Sequence, residues 1–191
     1  MSDKEMIYPP TFFGIGMNID DYSIIDVMKW LAVVGIFYVI ISCVNGHYKE
    51  QTYNGQIIRY GSYRRWLRRY LISISLFCFL ISMCVYIIFA FDYDLLLCFF
   101  TMLNMTVNFI FKAVCLFWIS NRKNYNVWIG IFLVFEVISV YRSKWSHVNP
   151  FAWSMACRAD MMVSKGFDTY IVITIELIVI FAFLFCHNIS R

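Results

Sequence analysis

The sequence predicts an all-α fold, a polytopic membrane helix bundle of five transmembrane helices with an amphipathic helix in the outer interface. Three observations predict it. First, 61% of the 191 residues are hydrophobic and only 15% are charged, against roughly 45–50% and 25% in a soluble domain. One small globule cannot hide that much apolar surface, so lipid has to act as part of the solvent. Second, helix-length apolar runs recur along the chain, separated by short polar punctuation. Third, Trp30, Trp66, Trp118 and Trp128 fall at the ends of those runs, and Trp145 and Trp153 fall in one loop. That is the distribution of an aromatic belt at the membrane surfaces.

Residues 1–27 read as an N-terminal surface segment. Five acids (Asp3, Glu5, Asp20, Asp21 and Asp26) stand there against Lys4, which is not the basic start of a signal peptide. Pro9, Pro10, Gly14 and Gly16 break any long helix, and Tyr8, Phe12 and Phe13 suit a resting place at the surface. Were this segment to insert, the bundle would have six spans.

Residues 28–191 form the transmembrane domain. About 17–25 residues are needed to cross a bilayer. The expected spans are 29–44, 70–91, 95–119, 125–141 and 170–186. Asp92 and Asp94 end the second, Lys112 interrupts the third, and a polar turn, Asn121-Arg122-Lys123-Asn124, leads to the fourth. Glu136 lies in the fourth and Glu176 in the last. A basic loop, 47–69, joins the first two spans, with Gly61-Ser62 as a break and an N-cap before the arginine-rich start of the next helix.

The loop 142–169 contains a further helical pattern. Asn149 can cap, Pro150 fits the first helical position, and Gly166 is a stop. The pattern predicts a helix over 150–165, of about four turns at 3.6 residues per turn, with Phe151, Met155 and Met162 on one face. It is too short and too charged to span and suits the interface.

Charge sets the orientation. Short cytoplasmic loops carry the Lys/Arg excess. The 47–69 loop has six such residues (Lys49, Arg59, Arg64, Arg65, Arg68 and Arg69), the 121–124 turn two, and the C-terminus Arg191. These places share one side, so the N-terminus is expected outside and the C-terminus inside.

Metal and redox chemistry find little footing. The seven cysteines make no CxxC pair, and the three histidines stand apart from one another and from any acid or cysteine cluster. The cysteines read as small buried hydrophobes. No nucleophile–base set or paired cytoplasmic carboxylates point to an enzyme.

Lys112, Glu136 and Glu176 are the intramembrane polar candidates, because charges inside the bilayer are costly and mark function by default. At about 1.5 Å per residue, Lys112 is placed roughly 10 Å from the cytoplasmic edge and the glutamates roughly 7–9 Å from the outer edge. That height difference argues against a direct Lys112–Glu136 pair and leaves Arg158 as a candidate partner for the glutamates.

The region from Lys49 to Trp66 resembles a known family. Lys49-Glu50, then Gly55-Gln56-Ile57-Ile58-Arg59-Tyr60-Gly61-Ser62, then Trp66 and a basic step into the next span resemble the cytoplasmic loop of small bacterial ABC exporter permeases of the type 2 export class. Asn149-Pro150-Phe151 and Trp153, with the segment after them, look like that class's outward helical hairpin. Two features depart from the family: it usually has six spans, and Tyr63 stands where a basic residue is expected.

The resemblance implies a permease subunit that pairs with a second permease subunit, as a homo- or heterodimer, in the bacterial plasma membrane. It implies a separate ATPase subunit that carries ATP and Mg, and export of a peptide or other amphiphile. Glu50, Gly55, Arg59, Gly61, Ser62, Arg64, Arg65 and Trp66 would then form the coupling element. The chain has no GxxxxGK[ST] phosphate loop of its own, which fits an ATPase on another polypeptide. The competing expectation is a non-transporting membrane protein, such as a bacteriocin immunity protein or an accessory subunit of a membrane complex. For the arginines, the simpler reading is lipid anchoring, worth roughly 1 kcal/mol per basic residue.

Overall fold

The structure, a computed structural model, describes residues 24–53, 62–89, 95–119, 124–140, 149–151, 153 and 169–189. Expectations for 1–23, including a surface segment or sixth span, and for 154–168 lie outside the described residues.

Five helices account for nearly all of the described chain: α1 (Ile24–Tyr53), α2 (Tyr63–Phe89), α3 (Leu95–Ile119), α4 (Tyr125–Val140) and α5 (Thr169–Ile189). Three of them hold stretches long and apolar enough to cross a membrane: Trp30–Glu50, Tyr63–Ile87 and Met102–Ile119. Tyr125–Ile138 and Tyr170–Phe183 are apolar but shorter.

The bounds follow from local chemistry. α3 has the predicted limits because Asp92 and Asp94 precede it and a polar turn follows it. α2 opens as expected: the Arg65 N–H donates to Ser62 Oγ at 3.3 Å, and the Trp66 N–H donates to the Ser62 carbonyl at 3.3 Å. Ser62 is therefore the N-cap, satisfying a donor that the first turn leaves open. α1 differs from expectation. It continues to Tyr53 instead of giving way to a loop at His47. No glycine or proline interrupts the chain between Gly46 and Gly55, and Asn45, Tyr48 and Lys49 keep the buried stripe going.

The bundle is built around α3, which packs on each of the other four helices. α1 also packs on α2 and α4, and α2 packs on α5, while α4 and α5 are not among the packed pairs. Phe151 and Trp153 fill the interval between those two. Phe151 meets Phe132 and Phe135 of α4 at ring distances of 5.1 and 5.4 Å. Trp153 packs with Val172 and Ile175 of α5.

Helix direction alternates. Tyr48, late in α1, meets Trp66 and Tyr70, early in α2. Phe117, late in α3, meets Tyr70 at 4.4 Å and Phe183, late in α5, at 6.1 Å. These residues gather at one end of the bundle, the end that the charge pattern leads one to expect in the cytoplasm. Lys49 lies there too, its Nζ 5.2 Å from the Phe117 ring and 5.0 Å from the Tyr125 ring. Buried ammonium over aromatic faces is a cation–π arrangement.

The outside is apolar, and within a mostly apolar core a few polar side chains are buried. Asn45, Asn104, Asn108, Lys112, Glu136 and Glu176 are buried. Ile36, Val39, Ile72, Leu76, Val134 and Ile178 face out. Large exposed apolar faces with charges turned inward are what hydrocarbon solvent demands.

The tryptophans depart from a lipid-facing belt. Trp30, Trp66 and Trp153 are buried within the bundle, whereas Trp118 is exposed. Their positions near helix ends hold, but packing rather than interface anchoring occupies the buried three.

Candidate functional site

Two regions gather the polar chemistry: a basic face at the start of α2 and a polar core along α3.

The basic face is a product of helical period. Arg64, Arg65, Arg68 and Arg69 are all exposed, while Trp66, Leu67 and Tyr70 between them are buried. Positions three and four apart share a side of a helix, so one turn-and-a-half of chain presents four guanidinium groups outward and an aromatic wedge inward. Trp66 stacks over Tyr70 at 6.2 Å with an interplanar angle of 10°, and it meets Tyr48 at 5.9 Å and Phe117 at 6.2 Å. The Tyr70 hydroxyl donates to Asn45 Oδ1 at 3.0 Å, and Asn45 Nδ2 donates to the Ala113 carbonyl at 3.4 Å. This chain of bonds ties the base of α2 through α1 to α3.

Of the residues singled out for coupling, Ser62 is the exposed cap, Arg64 and Arg65 are on the basic face, and Trp66 is the buried wedge beneath it. Glu50 is exposed in the last turn of α1. Gly55, Arg59 and Gly61 lie outside the described residues.

The polar core centres on Asn104, Asn108 and Lys112, spaced four apart on one face of α3. Asn104 Nδ2 donates to the Trp153 carbonyl at 3.0 Å, and Asn108 Nδ2 to the Pro150 carbonyl at 2.9 Å. Lys112 Nζ donates to the Phe151 carbonyl at 3.4 Å. Three successive rungs thus hold three carbonyls of one turn. The turn's own geometry is local: the Phe151 N–H donates to Asn149 Oδ1 at 3.1 Å, and the Trp153 N–H to the Pro150 carbonyl at 3.4 Å.

The turn packs against α3 inside the bundle; the rest of the amphipathic helix expected from Pro150 onward, 154–165, lies outside the described residues. Asn108 lies thirteen residues into α3, roughly 20 Å along it at 1.5 Å per residue. Irregular backbone inside a helix bundle is tolerated where protein satisfies its polar groups, and the α3 ladder does so. Asn149 closes a local turn through its bond from the Phe151 N–H, and Phe151 packs inside the bundle rather than on a membrane-facing stripe.

Lys112 and Glu136 form a direct ion pair, Nζ to Oε1 2.7 Å, with both side chains buried. The expectation that depth would keep them apart is corrected. Cα–Cβ bonds tilt toward a helix's N-terminus. α3 and α4 run in opposite directions, so the long Lys112 stem leans outward and Glu136 leans inward, and the two meet between their backbones. The Tyr38 hydroxyl of α1 also donates to Glu136 Oε1, at 3.3 Å. Glu176 is reached from the neighbouring rung: Asn108 Nδ2 donates to its Oε1 at 2.5 Å. The two glutamates share the α3 face, one rung apart. Arg158 lies outside the described residues.

Sequence reasoning found Lys112, Glu136 and Glu176 but missed Tyr38, Asn45, Asn104 and Asn108. The four-residue spacing of Asn104, Asn108 and Lys112 within an apolar helix was the signal available.

Among the described residues, no group of three or more His, Cys, Asp or Glu side chains is placed to hold a metal ion. Cys43, Cys78, Cys84 and Cys115 are free thiols. No protein-family model matches the chain, and neither a curated protein nor a solved structure does.

Proposed function

We propose that the chain is a transmembrane permease subunit of an ABC-type exporter in a bacterial plasma membrane. In this reading all five helices cross the bilayer, with the N-terminus outside. A separate ATPase subunit binds ATP and Mg, and a second permease subunit completes the pathway for a peptide or amphiphile. The observation that carries the reading is the basic face of α2. Four exposed arginines sit on the capped first two turns of α2, whose opposite side is wedged into the bundle. Lipid anchoring needs only the charges, because attraction to anionic headgroups does not require a rigid support. Transmission of force does require one, and Trp66, Tyr70 and Phe117 supply a stiff path from the surface to α3.

The test is biochemical. Affinity purification of the chain from its native membrane should bring down an ATP-binding polypeptide. Arg59→Glu combined with Gly61→Pro should then abolish transport-dependent stimulation of ATP hydrolysis while leaving membrane insertion intact. Unchanged coupling in that variant contradicts the proposal.

A second reading, a non-transporting protein such as a bacteriocin immunity protein or accessory subunit, is favoured by a different observation. Lys112 and Glu136 are paired within the chain, so this pair of charges has an internal partner rather than a substrate. Purification of the chain without any ATP-binding polypeptide would favour it.

A further inference from the structure

Among the described residues, the polar core holds one cation, Lys112, against two carboxylates, Glu136 and Glu176. Lys112 is matched by Glu136 at 2.7 Å. Glu176 has the neutral amide of Asn108 as its hydrogen-bond donor. Its second oxygen, Oε2, is buried with no hydrogen-bond partner among the described residues. Two more acceptors share that condition on the same face of α3: Asn104 Oδ1 and Asn108 Oδ1. All three side chains are at least nine-tenths buried, at 6%, 0% and 0% exposure for Asn104, Asn108 and Glu176. A buried acceptor left open costs about 1–3 kcal/mol, and an uncompensated carboxylate costs more. Asn104 and Asn108 stand on successive rungs of α3 and Asn108 bonds Glu176, so these open oxygens and the carboxylate belong to one face, which suits a positive occupant.

We infer that Asn104, Asn108 and Glu176 form an intramembrane binding site for one monovalent cation, a proton or an alkali-metal ion. Hard monovalent cations take oxygen ligands, and carbonyls of irregular backbone at membrane depth contribute to such sites. The Pro150 and Trp153 carbonyls, held by these same two asparagines, offer their second lone pairs. Among the described residues, the charged and titratable surroundings are few. On α3, Lys112 acts on Glu176 electrostatically, and Glu176 acts on Cys115. Glu136 on α4 stands behind Lys112 and is neutralised by it. α2, which also packs on α5, presents Tyr70, Cys78, Ser82 and Tyr86 along its buried face. The site does not depend on transport, so its test is separate from that of the proposed function.

The experiment uses the full chain purified into lipid nanodiscs and follows its thermal unfolding midpoint. One series varies Na⁺ or K⁺ against choline at fixed pH and ionic strength. The other varies pH in choline alone. A ligand bound by the folded state raises stability with the logarithm of its concentration above its dissociation constant. The wild-type midpoint should climb in the alkali series for a metal ion, or with falling pH for a proton. Glu176→Gln, which removes the charge and keeps the shape, should flatten that slope. Glu176→Asp, which withdraws the carboxylate by one methylene, should move half-saturation to about tenfold higher cation concentration, equivalent to about 1.4 kcal/mol. A wild-type midpoint indifferent to both series overturns the inference. So does a Glu176→Gln slope equal to that of wild type, or, should that variant not fold, an unchanged half-saturation in Glu176→Asp.

Discussion

Replacing Glu136 with glutamine tests the polar core at its centre. The substitution keeps an acceptor for the Tyr38 hydroxyl, which donates to Oε1 at 3.3 Å, and removes the negative charge 2.7 Å from Lys112 Nζ. Both side chains are about 1% exposed or less, so water cannot take over. Breaking a buried pair by removing one partner costs about 3–5 kcal/mol, because the remaining charge is left uncompensated. The expected loss for Glu136→Gln is at the lower end, about 3 kcal/mol, since the Phe151 carbonyl still accepts from Lys112. Lys112→Met alone should cost a similar amount. The double variant should cost much less than the sum, because no charge is then stranded. The assay is reversible unfolding in mixed micelles with increasing denaturing detergent, arranged as a double-mutant cycle. A Glu136→Gln loss below about 1 kcal/mol, or strictly additive single losses, would refute the reasoning.

Three further outcomes follow from the same structure. Trp66→Ala should cost about 3–5 kcal/mol in the same titration as a large buried ring is lost, whereas Arg64→Ala and Arg65→Ala should each stay within about 0.5 kcal/mol; equal losses would deny the inward–outward division of the α2 base. Ser62→Ala should cost about 1 kcal/mol through the lost cap, and a neutral result would mean that the first turn of α2 is held otherwise. Asn104→Ala with Asn108→Ala removes two of the three tethers on the turn, so amide hydrogen exchange at Phe151 and Trp153 should quicken, while exchange in mid-α2 stays at wild-type rates; unchanged exchange at the turn would show that ring packing alone holds it.

The parts of the fold legible in the sequence are those written in punctuation. Paired aspartates before Leu95 and a polar turn after Ile119 delimit α3 without reference to any neighbour. Ser62 announces the start of α2 because capping is a local bond. The extension of α1 past His47 was not legible, because polar side chains there signal water while Asn45 and Lys49 are in fact buried against other helices. The Lys112–Glu136 pair was hidden by counting Cα heights alone. Side-chain lean on antiparallel helices closes a gap that backbone arithmetic leaves open. The turn at Pro150 has a similar history. Asn149 and Pro150 marked a local turn, yet its place against α3 depends on partners forty-odd positions earlier, Asn108 and Asn104. Asparagines at four-residue spacing in an apolar helix mark a face that must bond something, and only tertiary contact says what.

The proposed coupling of the basic face to a cytoplasmic ATPase is best tested by site-specific photocrosslinking. A photoreactive side chain at Arg65, exposed on the capped turn of α2, would be activated in native membranes and its adducts identified by mass spectrometry. The proposal predicts crosslinks to a polypeptide that carries a GxxxxGK[ST] phosphate loop, and their loss when the same group is moved to outward-facing Leu76 in mid-α2. Crosslinks from Arg65 to lipid alone, with no ATP-binding polypeptide recovered, would contradict it.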